Sequence, residues 1–358
     1  MKTRTPLRFA LIGAGMVAEA HLKALAESPD AEAVVLYSRT EQRARALAAK
    51  WRIPWTTSLD QALRDPAADA ALILTAPWVH GEHALRAMEL GKHVLVEKPM
   101  DVELKRCDEM IRAAGKYRRK LGVILQNRFK KGVCRTREFI QSGRLGEMIH
   151  ISGYVKWYRP QSYYEANDWR GRTATEGGGV IFSQAGHTLD LMLHLMGPVK
   201  WVFANMVTAP VHRGIEIENL GVVSFRFRNG ATGVLEAATA LYPGTPERLE
   251  VHGARGTIEL VGGQVKRWDI LNPGPNDAPG DIEEVCGTGA SDPMAFPHLW
   301  HRMQIEDFCA AIREDRPPAV DGEEGRKLNV MARYVYESAR QHAPVELPSG
   351  CAARQGGA

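Results

Sequence analysis

The stretch Phe9–His21, FALIGAGMVAEAH, decides how this chain is read. An apolar run without alternation, as a strand buried on both faces requires, breaks at Gly13 and Gly15 and passes straight into an alanine-rich helical pattern. Gly13, Gly15 and Ala18 stand in the spacing G-x-G-x-x-A. The first glycine permits a tight turn, the second lets a pyrophosphate approach the backbone, and the small third residue lets helix and strand pack closely. Met16 and Val17 then lie at a helix N-terminus, which faces phosphate charge. A glycine turn before a helix also occurs as a purely structural device. Its place after the first strand of an alternating region makes dinucleotide binding the better reading.

Working outward, apolar runs at 7–12, 33–37, 70–74 and 93–96 are separated by alanine-rich helical stretches, and a further strand and helix fall near 121–126 and 130–142. That alternation predicts a parallel, doubly wound sheet with crossover helices. After GRLGEM at 143–148 the pattern changes. Segments 147–158, 199–208, 217–228, 231–240, 247–253 and 256–260 read as longer strands joined by Gly, Asn and Pro turns, a large, mostly antiparallel open sheet. Helices are expected near 179–196, 300–314 and 323–341. The expected fold is α/β, with a dinucleotide-binding domain over 1–125, a substrate-binding and oligomerisation domain over 126–350, and a fraying tail over 351–358.

Composition excludes several functions. The chain has 358 residues, 44% of them hydrophobic, enough for two cores, and its formal net charge of +4 falls short of a nucleic-acid or membrane footprint. The basic runs 116–120 and 128–131 read as solvated faces. Five cysteines, an odd number without paired spacing, point to reduced thiols and a cytoplasmic protein. The N-terminus reads as a first strand rather than a signal peptide, and no apolar run approaches membrane-spanning length. The pairs His80/His83 and His298/His301 lack a supporting cysteine or carboxylate at metal-ligand spacing, so no metal is expected.

The second strand ends VVLYSRTEQRARALA, residues 34–48. NAD favours an acid here for the ribose hydroxyls, whereas a 2′-phosphate needs cations and hydroxyls. The chain offers Ser38, Arg39 and Arg43 and no acid, which favours NADP over NAD; Arg39 stacked on the adenine of NAD is the competing reading. The strand HVLV, 93–96, runs directly into Glu97, Lys98 and Pro99. In a doubly wound sheet the carboxyl ends of the strands face the ligand crevice. A partly desolvated lysine there exchanges a proton with a substrate hydroxyl while hydride moves to or from nicotinamide.

IGAGMVAEAH (12–21), LTAPWVHGEHALRAMELGKHVLVEKPM (74–100), GGGVIFSQAGHTLDLMLHLMG (177–197) and HRMQIEDFCAAIREDRPPAVDGEEGRKLNVMARYVYESA (301–339) together resemble the Gfo/Idh/MocA family of oxidoreductases. The resemblance covers nearly the whole chain, and the EKP signature in its context is more specific than the glycine turn. It implies reversible oxidation of a ring or polyol hydroxyl, and dimers or tetramers formed through the second sheet. It implies that Lys98 is the catalytic lysine, with Glu97 ordering the nicotinamide region, and that Thr75, Pro77 and His80 line the cofactor. His187 is then the general acid/base of the second domain, with Asp190 on the same helical face; read from the residues alone, His187 is equally a histidine at a helix start.

The chain departs from the family pattern at Ser183, where many members carry an acid four residues before the histidine, and at Gln184. Serine cannot stay anionic, so Lys98 and His187 are left to handle the proton, and Ser183 and Gln184 only hydrogen-bond substrate. The segment VKWYRPQSYYEANDWRGRTATEGGG, 155–179, is rich in rings and arginines. Arg159, Trp169 and Arg170 suit an anionic carbohydrate, and equally an oligomer interface. Gln126 and Asn127, at the next strand end, are expected against cofactor and substrate. The leading expectation is an oxidoreductase of a sugar, cyclic polyol or nucleotide-sugar-like hydroxyl. A dehydrogenase of an aromatic cis-dihydrodiol is the alternative, and a non-catalytic dinucleotide-binding regulator is the reading from another class.

Overall fold

The computed structural model describes residues 5–280, 282, 290 and 297–349, so the expected tail over 351–358 lies outside the described residues. The chain divides into two compact units, one formed by residues up to 126 together with 297–329, the other by 127–296 and the residues from 330 onward.

In the first unit, β1 (Leu7–Ile12), β2 (Ala31–Tyr37), β3 (Trp55–Thr56), β4 (Ala70–Ile73), β5 (His93–Val96) and β6 (Leu121–Val123) form one sheet in the order β3-β2-β1-β4-β5-β6, every pair parallel. Its helices are α1 (Ala18–Glu27), α2 (Glu41–Trp51), α3 (Leu59–Leu63), α4 (His80–Glu89), α5 (Leu104–Tyr117) and α10 (Leu299–Arg313), with the first turns of α11 (Gly322–Gln341). The order reverses between β1 and β4, where a doubly wound sheet opens its ligand crevice. The central strands are largely apolar because both faces are covered: every residue of β4 is buried, as are the last four of β1.

Residues 297–329 depart from the sequence-based division. Ile305, Phe308 and Cys309 of α10 join the core of Phe9, Leu11, Leu72 and Leu95, and the Phe308 ring lies 6.4 Å from that of Phe9. Burying that apolar face returns the segment to the first unit.

The second unit holds β7 (Met148–Lys156), β8 (Val199–Val207), β9 (Leu220–Phe227), β10 (Thr232–Ala238), β11 (Arg248–Gly253), β12 (Gly256–Val261), β13 (Gln264–Ile270) and β14 (Val345–Glu346), ordered β13-β12-β11-β7-β10-β9-β8-β14. Only β7 and β10 pair in parallel. Helices α6 (Lys131–Gln141), α7 (Gln161–Glu165), α8 (Thr173–Glu176), α9 (Gly186–Met196) and the rest of α11 complete it. Alternating burial along β9 and β10 marks one covered face and one open face. A Cβ on Gly153 would come within 2.8 Å of Met192 Sδ, so this glycine is what lets α9 lie close on β7. No helix among the described residues is long and apolar enough to cross a membrane.

Candidate functional site

At the β1 end of the first unit, Gly13 adopts φ +128°, and a Cβ there would lie 2.7 Å from the Leu74 carbonyl, so only glycine fits. Gly15 has more room, its nearest neighbour being Leu74 O at 3.7 Å, which leaves its open side for a ligand. Met16 is 45% exposed, and Val17 caps α1, whose first residue Ala18 is fully buried. At the end of β2, Ser38 is buried and its Oγ accepts the Thr40 N–H, while Arg39 and Arg43 stand exposed. Tyr37 and His83 both feel the Arg39 charge. Burial first, then the neighbouring charges of His80 and Arg39, holds the His83 pKa down at about 4, so its Nδ1, 3.2 Å from Thr75 Oγ1, belongs to an uncharged ring.

Pro77 opens a short 3-10 turn after Thr75, and His80 begins α4. His80, expected against the cofactor, has its ring nitrogens close to the backbone. His80 is 1% exposed, with Nδ1 2.9 Å from Pro99 O and Nε2 2.9 Å from Thr75 O. Both ring nitrogens lie against backbone carbonyls, so the ring sits between the end of β4 and the end of β5. Glu97 is buried; one carboxylate oxygen lies 2.7 Å from His21 Nε2 and the other accepts the Lys98 N–H at 2.9 Å. Lys98 is half-buried. At the end of β6, Gln126 is buried and its Oε1 has no partner, an acceptor that a bound polar edge would satisfy. The first unit therefore fits a dinucleotide: a glycine cradle, an exposed guanidinium at the β2 end and an unfilled acceptor.

His21, Glu97 and His301 offer ligand atoms all within 4.8 Å of one another, a grouping that spacing along the sequence concealed. The 2.7 Å contact between His21 and Glu97 engages the atoms an ion would need.

In the second unit, His187 stands half-buried in the first turn of α9. Asp190, expected at the substrate, is 1% exposed and gripped by Arg128, with Nε to Oδ2 at 2.8 Å and Nη2 to Oδ1 at 2.6 Å. This bidentate pair anchors α9 to the turn that carries Arg128. Asn127, beside Arg128, is itself buried.

Arg170 donates to the Tyr163 hydroxyl and stacks 4.1 Å over that ring and 4.6 Å over Trp169. Gln184 Nε2 donates to the same hydroxyl at 3.2 Å, and the Ser183 hydroxyl lies against the Gln184 amide oxygen and Gly179 O. Arg159, expected at the substrate, is 2% exposed, and its Nη1 donates to Tyr158 O and Ala290 O, each at 3.0 Å, bracing the segment from within. Tyr163, the hub of this cluster, was missed, though the Tyr-Tyr pair was visible in the sequence.

Glu218 was missed without any sequence signal. It accepts the N–H groups of Gly179 at 2.9 Å and Ile181 at 3.0 Å and the Tyr336 hydroxyl at 2.9 Å, holding the glycine segment that leads to His187. Burial pushes its carboxyl up to about 7 despite these donors.

Two family profiles match the chain: an oxidoreductase family with an NAD-binding Rossmann fold, over residues 7–125, and a GFO/IDH/MocA C-terminal domain, over residues 133–259, together more than half the chain. It is 24% identical to the myo-inositol 2-dehydrogenase of Thermotoga maritima, across 95% of this chain and 98% of that protein. It is 29% identical to the scyllo-inositol 2-dehydrogenase (NAD(+)) of Bacillus subtilis, across 88% of each. Among solved structures, the WlbA dehydrogenase from Bordetella pertussis in complex with NADH and UDP-GlcNAcA matches with a TM-score of 0.87 and 29% identity, covering 97% of this chain and 99% of that one.

Proposed function

Since the chain belongs to the Gfo/Idh/MocA family and is an NAD-binding oxidoreductase of CH–OH groups, we propose that it oxidises or forms a secondary hydroxyl on a sugar-like ring bearing an anionic substituent, as in a nucleotide sugar. The observation that carries this is the Arg170–Tyr163–Gln184 cluster with Trp169 beside it. Flat rings suit a sugar face, and a stacked guanidinium suits an anion. The NADH and UDP-GlcNAcA held by the WlbA relative support the same substrate class.

A bound nicotinamide supplies the hydride acceptor or donor. Lys98 takes the proton of the substrate hydroxyl as the carbon–hydrogen bond breaks and returns it in the reverse direction, and His187 shares that proton. Ser183 and Gln184 hold substrate oxygens; neither carries charge. Retention of both Lys98 and His187 sets the chain apart from a non-catalytic regulator. We further propose NADP(H) ahead of NAD(H), because Ser38, Arg39 and Arg43 meet the ribose end with cations and no acid. We also propose assembly with a second copy through the open sheet face, where Phe203, Val207 and Val222 are exposed, in a reducing compartment that keeps the buried Cys107 and Cys309 as thiols.

The test begins with NADPH and NADH titrations followed by nicotinamide fluorescence, for the wild type and Arg39→Ala. NADPH binding the more tightly, and losing roughly tenfold in the variant, supports the phosphate reading; equal or tighter NADH binding overturns it. Turnover of UDP-GlcNAcA, myo-inositol and scyllo-inositol follows, with Arg170→Ala. A preference for the uncharged inositols that ignores Arg170 overturns the anionic substrate class.

A further inference from the structure

The chemistry proposed for Lys98 depends on where its peptide is held, and two buried histidines of the first unit hold it from either side. His21, on α1, is fully buried and lies 2.7 Å through Nε2 from Glu97 Oε1. A carboxylate only accepts, so the ring hydrogen sits on Nε2. His21 Nδ1 is buried without a partner and suits a bare lone pair, since a second N–H there would be a buried donor with nothing to receive it. The His301 ring packs edge-on against His21, centroids 4.8 Å apart at 79°. Burial, helped by the nearby histidines, keeps the His301 pKa down at about 3, so an uncharged ring faces His21.

The second Glu97 oxygen accepts the Lys98 N–H at 2.9 Å. On the far side, His80 reaches the Pro99 carbonyl at 2.9 Å, and Asp101 Oδ2 accepts the N–H of Gly81 just after it. Glu97-Lys98-Pro99 is thus fixed at both ends by side chains 1% exposed or less.

We propose that His21 is a positioning residue for Lys98, acting through the Glu97 carboxylate, with His80 holding the following peptide as its counterpart. This rests on the reading of Lys98 as the proton-handling group. His21 supplies one of the donors that let Glu97 stay ionised while buried, and Glu97 supplies the negative charge and the hydrogen bond that set the Lys98 peptide. Without that donor the carboxyl gains a proton, the charge beside Lys98 disappears, and the lysine gives up its own proton more easily.

The test reads Lys98 directly. The full chain is reductively methylated with 13C-formaldehyde, the Lys98 signal is assigned with Lys98→Arg, and its titration is followed by NMR in the wild type, His21→Leu, His21→Gln, Glu97→Gln and the His21→Leu/Glu97→Gln double variant. Removal of the donor in His21→Leu is expected to lower the Lys98 midpoint by roughly one pH unit. His21→Gln, whose amide N–H faces Glu97, is expected to restore it, and the double variant to match Glu97→Gln alone. A midpoint unmoved by His21→Leu, or effects that add in full, would overturn the proposal. Should His21→Leu not fold, His21→Asn, whose amide stops short of Glu97, carries the same comparison.

Turnover of UDP-GlcNAcA or scyllo-inositol supplies the second readout: a kcat lowered roughly tenfold with KM and the NADH dissociation constant unchanged supports positioning, and parallel loss of all three opposes it. Lys98→Met that retains turnover would sink the proton-handling reading itself, an outcome separate from the NMR comparison.

Discussion

Glu218→Gln is the perturbation whose effect can be worked furthest from the structure. The wild-type carboxyl titrates at about 7 when folded against 4.5 as its ordinary value. Protonation is therefore favoured in the native state: the contribution is fully present below about pH 4.5 and is lost as pH rises through 7. A shift of that size corresponds to about 3 kcal/mol, most of it lost between pH 5 and 7.5. Glutamine keeps the shape and carries no charge at any pH, but with a single acceptor oxygen it can serve only one of the Gly179 and Ile181 N–H groups, which meet different carboxylate oxygens of Glu218. At pH 5 the variant is expected to be less stable than wild type by about 1 kcal/mol, the worth of a hydrogen bond made less well. By pH 8 it is expected to be the more stable by roughly 2 kcal/mol, and the curves cross near pH 6. Scanning calorimetry of both proteins from pH 5 to 8.5 measures this, the difference in melting midpoint changing sign over a span on the order of 10 °C. Parallel curves would refute the reasoning, because they would mean that Glu218 is not titrating between its unfolded and folded values.

Three further outcomes are expected. His301, held near 3 chiefly by burial, contributes stability that is present above pH 6.5 and lost as pH falls toward 3; His301→Gln should flatten the wild type's loss of melting temperature between pH 6.5 and 4, and an unchanged slope would exclude His301 as its source. Removing one partner of the buried Arg128–Asp190 pair, as in Asp190→Ala, should cost about 3–5 kcal/mol by denaturant unfolding, while Arg128→Met/Asp190→Leu should cost clearly less than the two single changes combined; full additivity would contradict a buried, coupled pair. Gly13→Ala, which drives a Cβ to 2.7 Å from the Leu74 carbonyl at a φ alanine rarely adopts, should abolish nicotinamide fluorescence enhancement and lower the melting temperature of the first unit; wild-type NADH affinity would show that the turn relaxes freely.

The parallel sheet was legible because its strands, buried on both faces, leave uninterrupted apolar runs such as Ala70–Ile73. Short or polar strands left no such trace: Trp55–Thr56 and Val345–Glu346 have two residues each, and Gln264–Ile270 is half-exposed at a sheet edge. The helix expected from 179 begins at Gly186; residues 180–185 form turns, in which the Ser183 N–H meets Gly179 O and the Ala185 N–H meets Val180 O. At the candidate site, local pattern pointed to Gly13 and Lys98, and the family resemblance to His187. What each side chain is bonded to was not legible, since Asp190 meets Arg128 and Glu97 meets His21 across long separations in sequence. His80 and Asp190 carry the same lesson: a polar residue in a functional motif can also hold the fold together through hydrogen bonds to distant partners.

The return of residues 297–329 to the first unit sets the order in which this protein comes into being. Ile305, Phe308 and Cys309 complete a core whose other members, Phe9 and Leu11 among them, are synthesised long before them. The nascent Rossmann sheet waits, with part of its apolar face uncovered, while strands β7 to β13 of the second sheet are translated. The first unit is begun first yet stays open until α10 is made, and α11, whose residues fall in both units, is a helix that each of them waits for.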